Sequence, residues 1–467
     1  MDKIDILDRK AKTTLLSSQE VELRYHLKGQ LTKLLREEEI YWLQRSKATK
    51  LLQGDDNTKY FHMLANGRHR KTKITQLEQE EGIIVGDANL KDYITDYYKR
   101  LFGPHLQNSF SLDETLRHDI PQVSEEENEV LVAPFSEEEV KMAIFDMEHN
   151  KAPGPDGFPV EFYQFFWNVV KQDLMSLFYE FYMGRLHIHS LNFGVITLLP
   201  KITDATKIQQ FRLICLLNVS FKVFTKVLNN RILKMADKLI GPSQTAFIPG
   251  RYIMEGVVIL HETIHELHRK KKDGVILKLD FEKAYDNLMW PFIQQVLRMK
   301  GFSPVWCEWI SKVMSRGSVA VKVNDNLGHY FQTRKEVRQG DPLSPILFNI
   351  VVDMLAILIS RAKEAEQIHG VVPHLVDEGL SVLQYADDTV IFMDNDLERA
   401  KNMKLLLCAF EQLSGLKINF HKSELFCYGA ANANQLEYTQ IFGCNVGSFP
   451  FRYLGIPMHH RKLMNKD

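Results

Sequence analysis

Two adjacent aspartates, Asp387 and Asp388, stand between two short apolar runs and constrain this chain more than any other feature. The runs at residues 381–385 and 389–393 have the length and composition of strands, so the acids fall at the tip of a predicted β-hairpin. Acids beside buried strands are costly unless a cation or partner offsets their charge. The simpler interpretation is a solvated turn, because Asp is common in hairpin turns.

A third acid, Asp280, ends another apolar run at residues 275–280. If this strand lies beside the hairpin, Asp280 faces Asp387 or Asp388. Oxygen-rich sites suit Mg²⁺, which binds few carboxylates together with substrate phosphates. Two such ions can clamp the attacking and leaving oxygens of a phosphoryl displacement. The three acids together therefore favour a cation site over a solvated turn.

Composition excludes several classes of protein. The chain has 467 residues, 45% apolar and 25% charged, so wholesale disorder is excluded. No apolar segment of a secretory signal follows the first residues. The longest apolar run, residues 346–359, is shorter than the roughly 20 residues of a membrane span and predicts a buried helix. The five scattered cysteines lack CxxC spacing, so we expect an intracellular protein, nuclear or cytoplasmic, with no membrane partner.

Helix and strand signals mix throughout the chain and predict an α+β fold. Apolar spacing predicts a helix along residues 162–181, and a further helix is predicted at 342–363. The residues on one side of the first helix are Phe162, Phe166, Val170, Leu174, Leu177 and Phe181. A third helical stripe ends at Gly415. Strand-like runs at 319–323 and 330–337 flank a polar turn and predict a hairpin.

Short motifs follow one another in a characteristic order along most of the chain. They read GDDNTKYFH at 54–62, KAPGPDG at 151–157, LPK at 199–201, FR at 211–212, QTAFIPGR at 244–251, DFEKAYD at 280–286, RQGDPLSP at 338–345, YADD at 385–388, GLKIN at 415–419 and FRYLGIP at 451–457. Each motif is weak alone, but the ordered set is very specific. Through this set, residues 45–462 resemble the reverse transcriptase of LINE-class (non-LTR) retrotransposons, most like those of flowering plants.

The resemblance implies a right-hand polymerase fold with fingers and palm. It divides the chain into a helical basic N-terminal extension (1–105), a linker with the start of the fingers (106–189), a fingers and palm domain (190–458) and a truncated start of a thumb (459–467). Because the chain stops at Asp467, just past the last motif, we expect no complete thumb.

The same resemblance assigns the catalytic and metal-binding role to Asp280, Asp387 and Asp388, with two Mg²⁺ ions or Mn²⁺ in their place. Tyr285 matches the steric gate that excludes a 2′-hydroxyl; the alternative is a core aromatic residue. Asp286 resembles a structural turn acid outside the metal site.

Further residues are assigned to substrates by the resemblance. Arg212 and Lys201 would contact the nucleotide triphosphate, although Lys201 can equally be a solvated loop lysine. The other assigned residues are Gln339 and Gly340 at the nucleotide and template, Lys422 as general acid on pyrophosphate, Tyr385 beside the primer end, and Tyr453 and Gly455 in a primer-grip hairpin.

The implied activity is RNA-directed DNA polymerisation, which adds deoxynucleotides to a primer 3′-hydroxyl. The implied partners are an RNA template, a DNA primer or target and dNTPs, with protein partners unspecified. A catalytically silent remnant that only binds nucleic acid is the alternative. A zinc protease is a third hypothesis, because HETIH at 261–265 matches the HExxH pattern. The Gly54-Asp55-Asp56 sequence resembles a polymerase acid pair, but its polar and basic flanks argue against catalysis.

Charge is balanced, with 58 Lys and Arg against 59 Asp and Glu. A nucleic-acid enzyme is more often basic. We therefore expect the positive surface to be local, at residues 68–73, Lys201, Arg212, Arg251 and Arg338.

Overall fold

Helices account for most of the regular structure. In a computed structural model of the chain, residues 2–46, 67, 73–80, 82–103 and 110–459 are described. The α-helices of these residues are α1 Asp2–Thr13, α2 Ser18–Ser46, α3 Asp87–Leu101, α4 Glu125–Leu131, α5 Glu137–Phe145, α6 Val160–Phe165, α7 Trp167–Tyr182, α8 Val219–Leu233, α9 Ala236–Leu239, α10 Ile253–Arg269, α11 Ala284–Asn287, α12 Trp290–Met299, α13 Pro304–Met314, α14 Ser344–Glu364, α15 Leu397–Ser414 and α16 Gln435–Phe442.

Among the described residues, the strands are short and fall into four sheets. They are β1 Gln76–Gln79, β2 Gly82–Val85, β3 Phe193–Pro200, β4 Phe211–Leu217, β5 Gly274–Leu279, β6 Ser318–Val323, β7 Asn326–Leu327, β8 Phe331–Gln332, β9 Val382–Tyr385, β10 Asp388–Met393, β11 Glu424–Tyr428, β12 Asn445–Val446, β13 Phe451–Tyr453 and β14 Ile456–Met458. The mixture of helix and sheet confirms the α+β class predicted from the sequence.

One five-stranded sheet, with the order β12-β11-β5-β10-β9, carries the acidic motifs. Its central strand β5 is antiparallel to both β10 and β11. Nearly all side chains of β5 are buried, as its apolar sequence predicts. Helix α10 and the β13–β14 hairpin contribute to the same buried apolar cluster as β5, β10 and β11, which makes a common core beneath the acids.

The second five-stranded sheet has the order β4-β3-β6-β7, with β8 also paired to β6. The predicted hairpin is confirmed only in part, because Phe331 and Gln332 are the residues of the predicted 330–337 strand that pair with β6. The following segment instead bonds to helix α11 and the residue after it: Glu336 N–H donates to Leu288 O, and Val337 N–H donates to Tyr285 O. These bonds explain why the rest of the predicted strand leaves the sheet.

The predicted helices are present, with one interruption. Helix α14 begins two residues after the start of the predicted 342–363 helix and ends one residue beyond it. Helix α15 ends before Gly415, whose φ of 79° is the left-handed conformation of a helix C-terminus. The helix predicted along 162–181 is broken at Phe166 into α6 and α7.

Helix α14 alone among the described residues is long and apolar enough to cross a membrane. Of its most apolar window, 67% is buried inside the protein. The residues 346–359 therefore form a core helix here, as predicted.

The chain divides into two compact units. The first contains residues 1–90 and 198–212, and the second contains 91–197 and 213–467. Within the first unit, Glu78 N–H of β1 donates to Thr206 O at 2.7 Å, which attaches the 201–210 loop to β1. The domain boundaries expected at residues 105, 189 and 458 stay predictions.

Candidate active site

The acidic motifs meet at one edge of the sheet that contains β5. Tyr385 and Asp388 pair across the hairpin, and Thr389 of β10 pairs with Leu279 of β5. Continuing this antiparallel register by one residue places Asp388 across from Asp280. Residues directly opposite on paired strands have Cβ atoms about 5 Å apart. The predicted side-by-side arrangement of the two strands is therefore present.

The three acids are exposed although their strands are buried. Asp280, Asp387 and Asp388 are accessible to solvent, whereas Leu279 and Thr389 beside them are 3% and 1% exposed. The exposure leaves the carboxylates able to meet a ligand at the sheet edge.

Electrostatic interaction joins the carboxylates. The pKa of Asp388 is raised, first by partial burial of its carboxyl, then by the negative charge of Asp387 and more weakly by that of Asp280. Lys278 opposes this shift by favouring the ionised form. The acids thus repel one another, and a bound cation would relieve this repulsion.

The chemistry of these donors fits Mg²⁺. All three are carboxylates, and this ion favours oxygen ligands and takes part of its shell from substrate phosphates and water. In the part of the chain that the structure describes, no group of three or more His, Cys, Asp or Glu side chains is already arranged to hold a metal ion.

We expect Asp388→Asn to raise the melting temperature of the metal-free protein at pH 7.5 by roughly 1–3 °C. A carboxyl whose folded-state pKa is raised destabilises the fold above that pKa, and the penalty disappears as pH falls through it. The gain should therefore vanish near pH 4. Thermal melts in EDTA at both pH values test this, and a lower melting temperature at pH 7.5 would contradict it.

Tyr285 lies beside the acids. Its ring stacks on Phe348 at 4.5 Å between centroids and 11° between planes. Burial raises the pKa of Tyr285, and the charge of Asp387 adds to that rise. The neighbouring Asp286 is buried and interacts electrostatically with Lys283 and Tyr98. Tyr285 is therefore both a packed aromatic residue and a neighbour of the carboxylates, as both interpretations require.

The two tyrosines assigned to the primer are brought together. Tyr453 of β13 is 1% exposed, and its pKa is raised by burial, by the charge of Asp388 and by Tyr385. Leu454 and Gly455 form the tight turn to β14 with φ of 50° and 83°. Such a turn requires positive φ, which Gly adopts without cost. The roles of Tyr385, Tyr453 and Gly455 toward a primer stay predictions.

The turn that contains Lys422 supports Asp280. Asn419 N–H donates to Asp280 O at 2.7 Å, and Asp280 N–H donates to Ser423 Oγ at 3.1 Å. Lys422 is exposed between these two residues. The sequence analysis did not identify Ser423. The sequence around a loop serine does not show which backbone group its hydroxyl will bond.

Gln339 and Gly340 pack on strand β4. Gln339 O accepts a hydrogen bond from Cys215 N–H at 3.0 Å. Gly340 has φ of 112°, and a Cβ on it would lie 2.7 Å from Cys215 O. The close backbone approach that Gly340 permits is therefore to β4, while contact with nucleotide or template stays a prediction.

Arg212 and Lys201 belong to the first unit, whereas the carboxylates belong to the second. Arg212 is an exposed side chain of β4. Lys201 N–H donates to Gln210 O at 2.8 Å, and its Nζ donates to Gln209 O at 3.4 Å. Their contact with a triphosphate stays a prediction.

Two arginines expected on the positive surface have structural partners instead. Arg251 donates to the carbonyl oxygens of Gly241 and Gln244 and pairs with Asp237. Arg338 is 7% exposed and bonds Asn192. The expectation that they supply exposed charge was wrong, because their guanidinium groups satisfy buried polar groups.

Some motifs fall elsewhere. The basic residues 68–72, the GDD sequence at 54–56 and the expected thumb start beyond residue 459 lie outside the described residues. His261 and His265 of the HExxH pattern are exposed on helix α10, and the Glu262 between them is exposed as well. This helix packs through its apolar side on the core of the β5 sheet.

A sheet edge with three interacting carboxylates, one of them beside a stacked tyrosine, is an arrangement suited to phosphoryl transfer. Residues 199–458 match the family of the reverse transcriptase (RNA-dependent DNA polymerase). The chain belongs to this reverse transcriptase family, and its relatives place it with the reverse transcriptases of non-LTR retrotransposons.

Three relatives illustrate the similarity. The transposon TX1 uncharacterized 149 kDa protein of Xenopus laevis is 29% identical over 84% of this chain and 30% of its own length. The Pol polyprotein of retrotransposable element R2 from Nasonia vitripennis is 30% identical over 56% of this chain and 24% of its own length. The R2DM polyprotein of Drosophila melanogaster is 25% identical over 65% of this chain and 28% of its own length. The chain thus spans less than a third of these relatives.

Proposed function

We propose that this chain is the RNA-directed DNA polymerase domain of a LINE-type retroelement of the plant type. The observation that carries the activity is the convergence of Asp280, Asp387 and Asp388 at one sheet edge, where their charges interact. The plant type rests on the ordered motifs. The β5 sheet would be the palm and the β3–β4 region part of the fingers of a right-hand polymerase, within residues 190–458.

The three carboxylates would hold two Mg²⁺ ions, or Mn²⁺, which supply charge stabilisation at the attacking and leaving oxygens. Ser423 and the turn at 419–423 orient the backbone of Asp280. Tyr285 borders the incoming sugar and excludes a 2′-hydroxyl by its volume. Lys422 would protonate the pyrophosphate as it leaves, and Lys201 and Arg212 would bind the triphosphate through charge-assisted hydrogen bonds.

The substrates that follow are an RNA template, a DNA primer or target, and dNTPs. Primer extension on poly-rA with an oligo-dT primer and dTTP tests the activity. We expect extension with Mg²⁺ and none with EDTA. Salt-dependent RNA binding without extension would overturn the proposal and favour the nucleic-acid-binding remnant.

We propose an intracellular location, nuclear or cytoplasmic. The five cysteines support this, because all of them are free thiols in the structure. Disulfides are rare in the reducing cytosol and nucleus.

Tyr285→Val should raise incorporation of ribonucleotides relative to deoxynucleotides by about 10- to 100-fold. Steric contact with a pocket wall distinguishes substrates that differ by one small group by a factor of this order. Tyr285→Phe is the matched control, since it keeps the ring and its stacking on Phe348. Single-nucleotide insertion with UTP and dTTP gives the ratio. Equal ratios for the valine and phenylalanine variants would contradict the steric role.

A further inference from the structure

A buried glutamine reaches the tip of the acidic hairpin. Gln244 is 0% exposed and lies in the loop before helix α10. Its Oε1 accepts a hydrogen bond from Ala386 N–H at 2.9 Å, and its Nε2 donates to Ala386 O at 3.3 Å. One side-chain amide therefore satisfies both backbone polar groups of the residue that precedes Asp387.

Ala386 needs such support. Its φ is 53°, a left-handed conformation that costs free energy for any residue with a Cβ. Its backbone groups are buried within the hairpin tip, where an unmet hydrogen bond would add a further cost. This conformation decides the direction in which the chain leaves Tyr385 and hence where the carboxylates of Asp387 and Asp388 point.

The loop that carries Gln244 is itself held on several sides. Gln384 N–H donates to Ser243 O at 2.8 Å, and Thr245 N–H donates to Gln384 O at 3.1 Å, so the loop pairs with β9 as a short parallel bridge. The Asn349 side chain of α14 donates to Ala246 O. These hydrogen bonds hold the backbone around Gln244 in place, so its side chain can position the hairpin tip.

Arg251 also stabilises the backbone of this loop. Its guanidinium donates to Gly241 O at 2.6 Å and to Gln244 O at 2.7 Å. The motif QTAFIPGR therefore contains both the glutamine that meets the hairpin tip and the arginine that fixes the glutamine's backbone.

We propose that Gln244 is a positioning residue that sets the geometry of Asp387 and Asp388 for divalent metal binding. The inference rests on the proposed polymerase site. Residues that orient metal ligands typically change metal affinity by 10- to 100-fold when they are replaced. A purely structural glutamine would lower stability without a selective effect on the metal.

The chain offers a matched control on the neighbouring strand. Gln384 is 1% exposed, and its amide donates to Val352 O at 3.2 Å, away from the hairpin tip. Gln244→Met and Gln384→Met each remove one buried amide and retain a side chain of similar length. Gln244→Met should lower the melting temperature more than Gln384→Met, because the Gln244 amide also accepts from Ala246 N–H at 3.0 Å whereas the Gln384 amide makes the single bond to Val352 O. The selective effect on metal, not the loss of stability, therefore distinguishes the two variants.

Mn²⁺ affinity of the full chain, measured by electron paramagnetic resonance, is the main readout, with Asp387→Asn defining the site. We expect Gln244→Met to weaken this affinity by about tenfold or more. The Mn²⁺ affinity of Gln384→Met should stay close to that of the unaltered chain. In primer extension, kcat should fall for Gln244→Met with little change in the KM for dTTP.

Equal Mn²⁺ affinities for the two methionine variants, or the absence of Asp387-dependent Mn²⁺ binding in the unaltered chain, would overturn the inference. Selective loss in Gln244→Met supports it even if the unaltered chain does not extend a primer. Selective loss of Mn²⁺ affinity without primer extension by the unaltered chain would refute the polymerase activity and leave the role of Gln244 standing. The two proposals can therefore be refuted separately.

Discussion

Asp387→Asn is expected to reduce the rate of primer extension by about three orders of magnitude, since a metal ion at the transition state is worth several kcal/mol and each ~1.36 kcal/mol is tenfold in rate. The substitution keeps the size of the side chain and removes its charge. Asp387 is exposed, and its charge acts on both Asp388 and Tyr285. Its loss should therefore affect the reaction without preventing folding.

The matched control is Asp377→Asn, which neutralises an exposed acid on the loop before β9. It should extend the primer at the rate of the unaltered chain. Thermal melts of all three proteins verify that folding is retained. An Asp387→Asn protein as active as the control would exclude these carboxylates as the source of catalysis.

Lys300→Met should destabilise the fold by ~3–5 kcal/mol, the usual cost of leaving one member of a buried ion pair unpartnered. The Nζ of Lys300 lies 2.7 Å from Asp353 Oδ2, and the two side chains are 0% and 2% exposed. Lys300 also donates to Leu239 O, and Asp353 accepts from Gly241 N–H. The pair thus joins the residue that follows α12 to α14 and to the start of the loop that carries Gln244.

Chemical denaturation measures this loss, with Lys312→Met as the matched control. Lys312 and Glu308 have the same N–O distance of 2.7 Å, but their side chains are 32% and 61% exposed. Their separation should cost less than ~1 kcal/mol, as in other exposed pairs. The double variant Lys300→Met, Asp353→Leu should recover part of the lost stability, because it leaves no buried charge. Similar losses for Lys300→Met and Lys312→Met would contradict the role of burial.

The apolar strands and helices could be predicted because their sequence pattern reports burial directly. The runs at 275–280, 381–385 and 389–393 are the strands β5, β9 and β10, displaced by no more than one residue at either end. The prediction of a strand over 330–337 was wrong beyond Gln332, because hydrogen bonds to helix α11 and to Leu288 after it outweighed the strand pattern. Local propensity is a weak prior where tertiary partners compete.

Within the candidate site, prediction depended on the kind of residue. Carboxylates at the ends of apolar strands are conspicuous, and the three acids do meet at one sheet edge. Arg251 and Arg338 were misplaced, because an arginine that satisfies buried carbonyls has the same sequence signal as one that binds phosphate. No role was assigned to Gln244 or Ser423 from the sequence. Neither charge nor spacing shows which backbone group a neutral polar side chain will bond.

The sequence by itself determined the class of fold, the three acids and, through its ordered motifs, the reverse transcriptase family. These depend on short-range patterns and on residue types that chemistry restricts. Only the tertiary structure decided the register that places Asp388 opposite Asp280 and the hydrogen bonds of Gln244 to Ala386. The physical reason is that these contacts join residues more than a hundred positions apart, and their partners are selected by packing of the whole core.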